Sequence, residues 1–193
     1  MLLPAVVEAR DRKDPSCASR AESLVATDEV QLKMVPGWSL TAQNRLGAVT
    51  CRATRAPGAG DAMTILHTPN SEYRNGHWYL DLTSRARKLA KAESPATLVA
   101  DRKPIATGKA LEISDSVGGK TVAEYVRAEF PALDPAAVEK LRDAKTIELR
   151  AEGMETISVP PLGAVIRALQ HCAWKATGPE RETFWKNAER ICN

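Results

Sequence analysis

No stretch of the 193 residues approaches the roughly 20 consecutive apolar residues that a membrane-spanning helix needs, so the sequence predicts no transmembrane segment and a mature chain in solution. Neither sign of charge dominates. The 27 Lys and Arg against 24 Asp and Glu leave a net +3 spread along the chain, unlike the concentrated basic footprint of a nucleic-acid binder, and no nucleic-acid partner is expected. Cysteine is sparse: Cys17, Cys51, Cys172 and Cys192 make no CxxC pair and no Cys/His group at zinc spacing, which argues against a metal site or a thioredoxin-type motif. A G-x-S-x-G elbow, a Walker loop, H-E-x-x-H and G-x-G-x-x-G are all missing, so no linear motif assigns a catalytic residue or a cofactor. Gly58-Ala59-Gly60 is followed by no Lys-Ser/Thr helix start and reads as a flexible loop.

What is present is a pattern of short alternating runs. The stretch Thr146 to Cys172 is the most legible. Ile147, Leu149 and Ala151 alternate with Glu148, Arg150 and Glu152, Gly153 permits a turn, and Thr156 to Val159 alternates again, the period of a half-buried hairpin. Pro160 and Pro161 open a helix in which Leu162, Val165, Ile166, Leu169 and Cys172 form one apolar stripe. Upstream, Trp38 to Ala42 and Ala48 to Ala53 read as a hairpin, followed by strands at Met63 to His67 and Trp78 to Leu82. Thr97 to Ala100 and Ile105 to Ile113 form the next hairpin, turned at Asp101 to Pro104.

Helices are expected between and around these strands. Asp14-Pro15 starts one whose single face holds Cys17, Ala21, Leu24 and Val25, and Val30, Leu32 and Met34 alternate as a strand after it. Ser84 to Ala92 suits a short helix with a basic side, and Thr121 with Glu124 makes a T-x-x-E capping box before Val122, Tyr125 and Val126. Asp134-Pro135 opens another with Val138 and Leu141 inward, and Gly178-Pro179 a last one in which Phe184, Ala188, Ile191 and Cys192 share a side. Seven to nine strands and three to five helices predict a mainly β, α+β protein: an antiparallel β-sandwich or barrel-like sheet with peripheral helices. With room for one real core, the chain divides into an N-terminal extension (1–31), a β-rich core domain (32–172) and a C-terminal helical extension (173–193). The apolar run Leu2 to Ala9 ends on a small residue with no Lys or Arg before it, and reads equally as the tail of a signal peptide or as chance hydrophobes at a terminus.

Three features together resemble small proteobacterial secreted proteins related to the invasion-associated locus B family: the hairpin from Gly37-Trp38-Ser39-Leu40 to Cys51-Arg52-Ala53, the run Leu98 to Gly108, and Thr146 to Cys172 with its Gly163-Ala164 and terminal Ala168-Leu169-Gln170-His171-Cys172. The likeness covers about residues 35 to 172 and rests mostly on hydrophobic pattern and punctuation. It implies a β-rich periplasmic or secreted bacterial fold whose members mostly have no assigned reaction. The chain departs from it in the insert Gly118 to Asp143 and in both cysteine-bearing extensions. Two disulfides suit the four cysteines better than buried thiols, and disulfides belong to an oxidising compartment. The resemblance implies that Cys51 pairs with Cys172, which leaves Cys17 to meet Cys192.

Few residues invite chemistry. His67 and His77 flank Thr68 to Gly76 with Glu72 between them, and are candidates for a surface site if the hairpin brings them to one point, although their spacing matches no standard ligand set. His171 beside Cys172 would activate a thiolate only if that cysteine were reduced. Arg85 to Lys91 reads as a solvated basic face, with attraction to an anionic surface as the alternative, and Trp174 and Trp185 either pack the last helix or form an interaction patch. The expected function is a non-catalytic, disulfide-stabilised, monomeric binding protein acting on a protein or cell-envelope component. The alternatives are a small secreted hydrolase with residues converging from separate strands, or an inhibitor or immunity-type protein that presents a loop such as Asn70 to Gly76 or Gly58 to Gly60.

Overall fold

The computed structural model describes residues 22–27, 33–45, 47–55, 61–69, 77–85, 87–117 and 120–192; at 22–23, 116–117, 120, 122–123 and 190–192 it describes the main chain alone. The strands are β1 (Glu22–Thr27), β2 (Ser39–Arg45), β3 (Ala48–Arg55), β4 (Asp61–Thr68), β5 (His77–Ser84), β6 (Glu93–Ala100), β7 (Lys103–Val117), β8 (Lys120–Leu133), β9 (Ile147–Ala151), β10 (Ile157–Val159) and β11 (Glu189–Cys192). The helices are α1 (Pro135–Asp143), α2 (Gly163–Thr177) and α3 (Arg181–Trp185). All eleven strands belong to one antiparallel sheet in the order β10-β9-β6-β7-β8-β5-β4-β3-β2-β1-β11. The protein is therefore mainly antiparallel β with a few helices, as the period-2 runs predict.

The sheet curls around α2. That helix follows β10 at one edge of the sheet, yet it packs on β3, β2 and β4 near the other, which requires the strands to wrap round it. Its stripe of Leu162, Val165, Ile166, Leu169 and Cys172 is buried, together with Ala168, Ala173 and Ala176, and meets Leu40, Val49, Ile65, Leu80 and Leu149 in one hydrophobic cluster. The disulfide from Cys51 of β3 to Cys172 of α2 joins helix to sheet, with Cα atoms 6.2 Å apart. Cys17 and the side chain of Cys192 lie outside the described residues, and so does the pairing expected between them.

α1 begins as the sequence predicts. The Asp134 carboxylate accepts a hydrogen bond from the Ala137 N–H at 2.6 Å, Pro135 fills the first turn, and Val138 and Leu141 are buried. The hairpin β6–β7 turns on two residues, Asp101 (φ 45°) and Arg102 (φ 68°), the left-handed pair that matches the twist of its strands. Asp101 Oδ1 then accepts from the Lys145 and Thr146 amides and the Thr146 hydroxyl, so one turn side chain ties down the entry to β9.

Five helical or strand expectations are overturned. Leu24 and Val25 lie on β1, held between β2 and β11; the rest of that predicted helix, and the apolar run before it, lie outside the described residues. Met34, expected on a strand, stands in a helical turn with Lys33, while Val30 and Leu32 lie outside the description. Thr121 to Val126 belongs to β8, because pairing with β7 uses the β-branched and aromatic residues that a helix disfavours. Residues 87–92 form no helix: the segment is too short to nucleate one alone, and Arg87 and Lys91 are drawn to Glu155 and Glu152 of the β9–β10 turn. The last helix is also shorter than expected. It ends at Trp185, and residues 189–192 add β11 to the sheet beside β1.

Candidate functional site

The four strands β6, β7, β8 and β5 run side by side only along the middle of the β7–β8 hairpin. At one end β6 stops at Glu93, opposite Leu111, and β5 stops at Ser84, opposite Val126. Beyond those rungs the hairpin continues as a two-stranded arm, Ile113↔Tyr125, Ser114↔Glu124, Asp115↔Ala123, Ser116↔Thr121 and Val117↔Lys120. Five residues of strand reach roughly 16 Å at about 3.3 Å per residue. Both edges of the arm lack a neighbouring strand among the described residues, so their main-chain groups are open to a partner. Its two faces differ. Ile113 and Tyr125 are half-buried on the face of Leu111, whereas Glu112, Ser114 and Glu124 are exposed on the other.

At the base of the arm Arg127 binds β8 to β5. Its Nε donates to Asp81 Oδ2 at 2.6 Å, one terminal nitrogen donates to the Tyr79 hydroxyl at 2.8 Å, and the other lies 3.0 Å from Glu129 Oε1. Tyr79 and Thr83 donate in turn to Asp81. Partial burial, then the Asp81 charge, push the Tyr79 hydroxyl up to about 12. All three guanidinium nitrogens of Arg127 are engaged, so it braces the root of the arm.

At the opposite end β7 and β8 part. Their register begins at Lys109↔Glu129, and no rung between 103–108 and 130–133 occurs among the described residues. Two bulges coincide there. Ile105 is the extra residue of β7 between Val99↔Pro104 and Leu98↔Ala106, and Pro131 and Ala132 are looped out of β8 between Leu80↔Phe130 and Trp78↔Leu133. Pro104 and Pro131 have no N–H to offer a ladder, so each of the two strands lacks one donor at this end. Gly108 sits at the last close approach, where a β-carbon would stand 2.7 Å from Phe130 Cδ1 and closer still to the Glu129 carbonyl. Beyond it opens a groove of about 370 Å³ lined by Pro104, Ile105, Ala106, Thr107, Ala132 and Asp134. Of these residues only Asp134 has an acidic or basic side chain.

The histidines do not converge. His67 pairs with Trp78 and Thr68 with His77, so neighbouring positions put the two imidazoles on opposite faces of the β4–β5 hairpin. His67 lies on the inner side next to Cys51 and stacks on Trp78, ring centroids 4.1 Å apart, with its Nδ1 buried and unpartnered. Burial lowers its pKa, opposed by the His77 main chain. His77 is exposed, and Glu72 lies outside the described residues. His171 stacks on Trp174, and its neighbour Cys172 is a disulfide, which removes the thiolate. The two tryptophans differ: Trp185 donates to the Ala176 carbonyl at 3.0 Å and packs α3 on α2, while Trp174 is half exposed. The loops Gly58 to Gly60 and Asn70 to Gly76 lie outside the described residues.

The arm and the groove were missed in the sequence because the arm depends on where β5 and β6 stop and the groove on where two bulges part β7 from β8. A partial signal existed in the spacing of Pro104, Gly108 and Pro131, three residues that each disfavour the interior of a strand. No described helix is long and apolar enough to cross a membrane. Comparison of the chain with protein-family models, curated proteins and solved structures finds no match.

Proposed function

We propose that this protein is a disulfide-stabilised binding protein of the bacterial periplasm or extracellular space that engages a protein or cell-envelope component through the β7–β8 arm. The observation that carries the reading is the arm itself, a ribbon extending past both neighbouring strands, braced at its root by Arg127 and bearing the half-buried pair Ile113 and Tyr125. Unpaired strand edges recruit extended segments of a partner, and an amphipathic ribbon gives that contact an orientation. An inhibitor-type mode, with the arm entering a partner's cleft, is one form of the same reading. The Cys51–Cys172 bridge fits an oxidising compartment, and kinship with invasion-associated locus B proteins is part of the proposal.

The test places a photo-crosslinking amino acid at Tyr125 or, as a control, at Lys140 on the exposed side of α1, in cells that produce the protein. A discrete adduct from position 125 and none from 140 is expected. Adducts from 140 alone, or from neither site, would remove the arm from the function.

A further inference from the structure

We infer that the groove between β7 and β8 is a second binding site, and that it takes an extended peptide segment carrying a basic side chain. The site is separate from the arm, at the other end of the same two strands, and does not depend on the arm having a partner. Its lining includes one side-chain hydroxyl, of Thr107, and one carboxylate, of Asp134, so the other polar groups a ligand meets are main-chain carbonyls and amides, Pro104 having no amide to give. β7 is laddered to β6 along this stretch, but its edge toward β8 carries no rung there; main-chain groups on such an edge need hydrogen-bond partners, and an extended peptide supplies donors and acceptors at the matching repeat. The stretch 104–107 is about 13 Å long at roughly 3.3 Å per residue, enough for four residues of ligand.

Shape argues in the same direction. Compact organic ligands are held by enclosing, mostly apolar or aromatic walls, whereas this groove carries no aromatic side chain in its lining and is open along its length. The split is also built in rather than frayed. Two bulges and two prolines coincide at it, and Gly108 with Phe130 fixes the point from which the strands diverge.

Charge selects the side chain. Asp134 lies at the groove with one carboxylate oxygen committed to the Ala137 amide, and no ion pair to it occurs among the described residues. A Lys or Arg of the ligand is the complement of that carboxylate.

Random decapeptides displayed on phage, selected against the full disulfide-bonded chain and then synthesised, test the assignment. Enrichment of peptides with Lys or Arg is expected, with binding in the micromolar range. N-methylation of alternate peptide amides should weaken binding roughly tenfold, since it removes two or so main-chain hydrogen bonds. Ala132→Trp, which fills the groove from an exposed position, should abolish it; Asp134→Asn, which keeps the helix cap, should weaken basic peptides and leave the thermal midpoint close to the wild type. Failure to enrich any peptide over a protein-free control would overturn the proposal. So would selected peptides whose binding survives N-methylation, or is unchanged in Asp134→Asn.

Discussion

Gly108 of β7 and Phe130 of β8 approach so closely that a β-carbon on the glycine would stand 2.7 Å from Phe130 Cδ1, and closer to the carbonyl of Glu129. The phenylalanine ring is buried over the place where the glycine has no side chain, and the two strands separate directly beyond it. Gly108→Ala should therefore cost about 1–3 kcal/mol, because main chain cannot escape the new methyl by changing rotamer. Urea unfolding measures it. A loss below about 0.5 kcal/mol, the range of an ordinary surface change, would show that the approach is looser than described.

The bridge between Cys51 and Cys172 spans a sequence separation of 121 and links α2, the longest described helix, to β3 of the sheet. Reducing it releases a large loop in the unfolded chain, and the expected loss is roughly 2–5 kcal/mol. Unfolding curves with and without dithiothreitol should separate accordingly; superimposed curves would show that the bridge contributes nothing to equilibrium stability. Cys51→Ala/Cys172→Ala should behave like the reduced protein.

Tyr79 reports on the brace beneath the arm. Burial and the neighbouring Asp81 carboxylate hold its hydroxyl up at about 12, while the Arg127 charge pulls it down. Asp81→Asn should thus lower the apparent value and Arg127→Met should raise it, both read by ultraviolet-difference titration. The sign for stability follows: the raised native value favours folding below the ordinary 10.0, and that contribution disappears as pH rises through about 12. Arg127→Met should also cost about 1 kcal/mol at neutral pH, a modest figure because the guanidinium is partly exposed.

His67 is depressed by burial against Trp78, so its neutral form belongs to the folded state. Its contribution is complete above the ordinary value of 6.5 and is lost as pH falls through the lower native one. His67→Phe keeps a ring on Trp78 and removes the unpartnered Nδ1. The variant's stability relative to wild type should rise steadily from about pH 7 to about pH 5. A constant difference across that range would mean that His67 titrates alike in the folded and unfolded chains.

Much of the fold was legible because it is written in local periods. Ile147, Leu149 and Ala151, then Ile157 and Val159, alternate as strands do, and the stripe from Leu162 to Cys172 has helical spacing, so β9, β10 and α2 follow from side-chain direction alone. Asp134-Pro135 is equally local, since cap and first-turn proline act within four residues. Segments that satisfy two periods at once were not legible. Val122, Tyr125 and Val126 suit a helix by spacing and a strand by residue type, and the chain beyond Trp185 likewise became a strand; in both, pairing with a distant neighbour outweighed a weak local preference.

The sequence by itself determined the mainly antiparallel β character, the apolar stripe of α2 and the capped start of α1. Tertiary structure alone decided the register that turned His67 and His77 away from each other, the endings of β5 and β6 that leave the arm free, and the paired bulges that open the groove. The physical reason is range. Alternation and capping are settled between residues a few positions apart, but a register, a bare strand edge and a gap between strands are properties of two segments that meet only when the sheet closes around its helix.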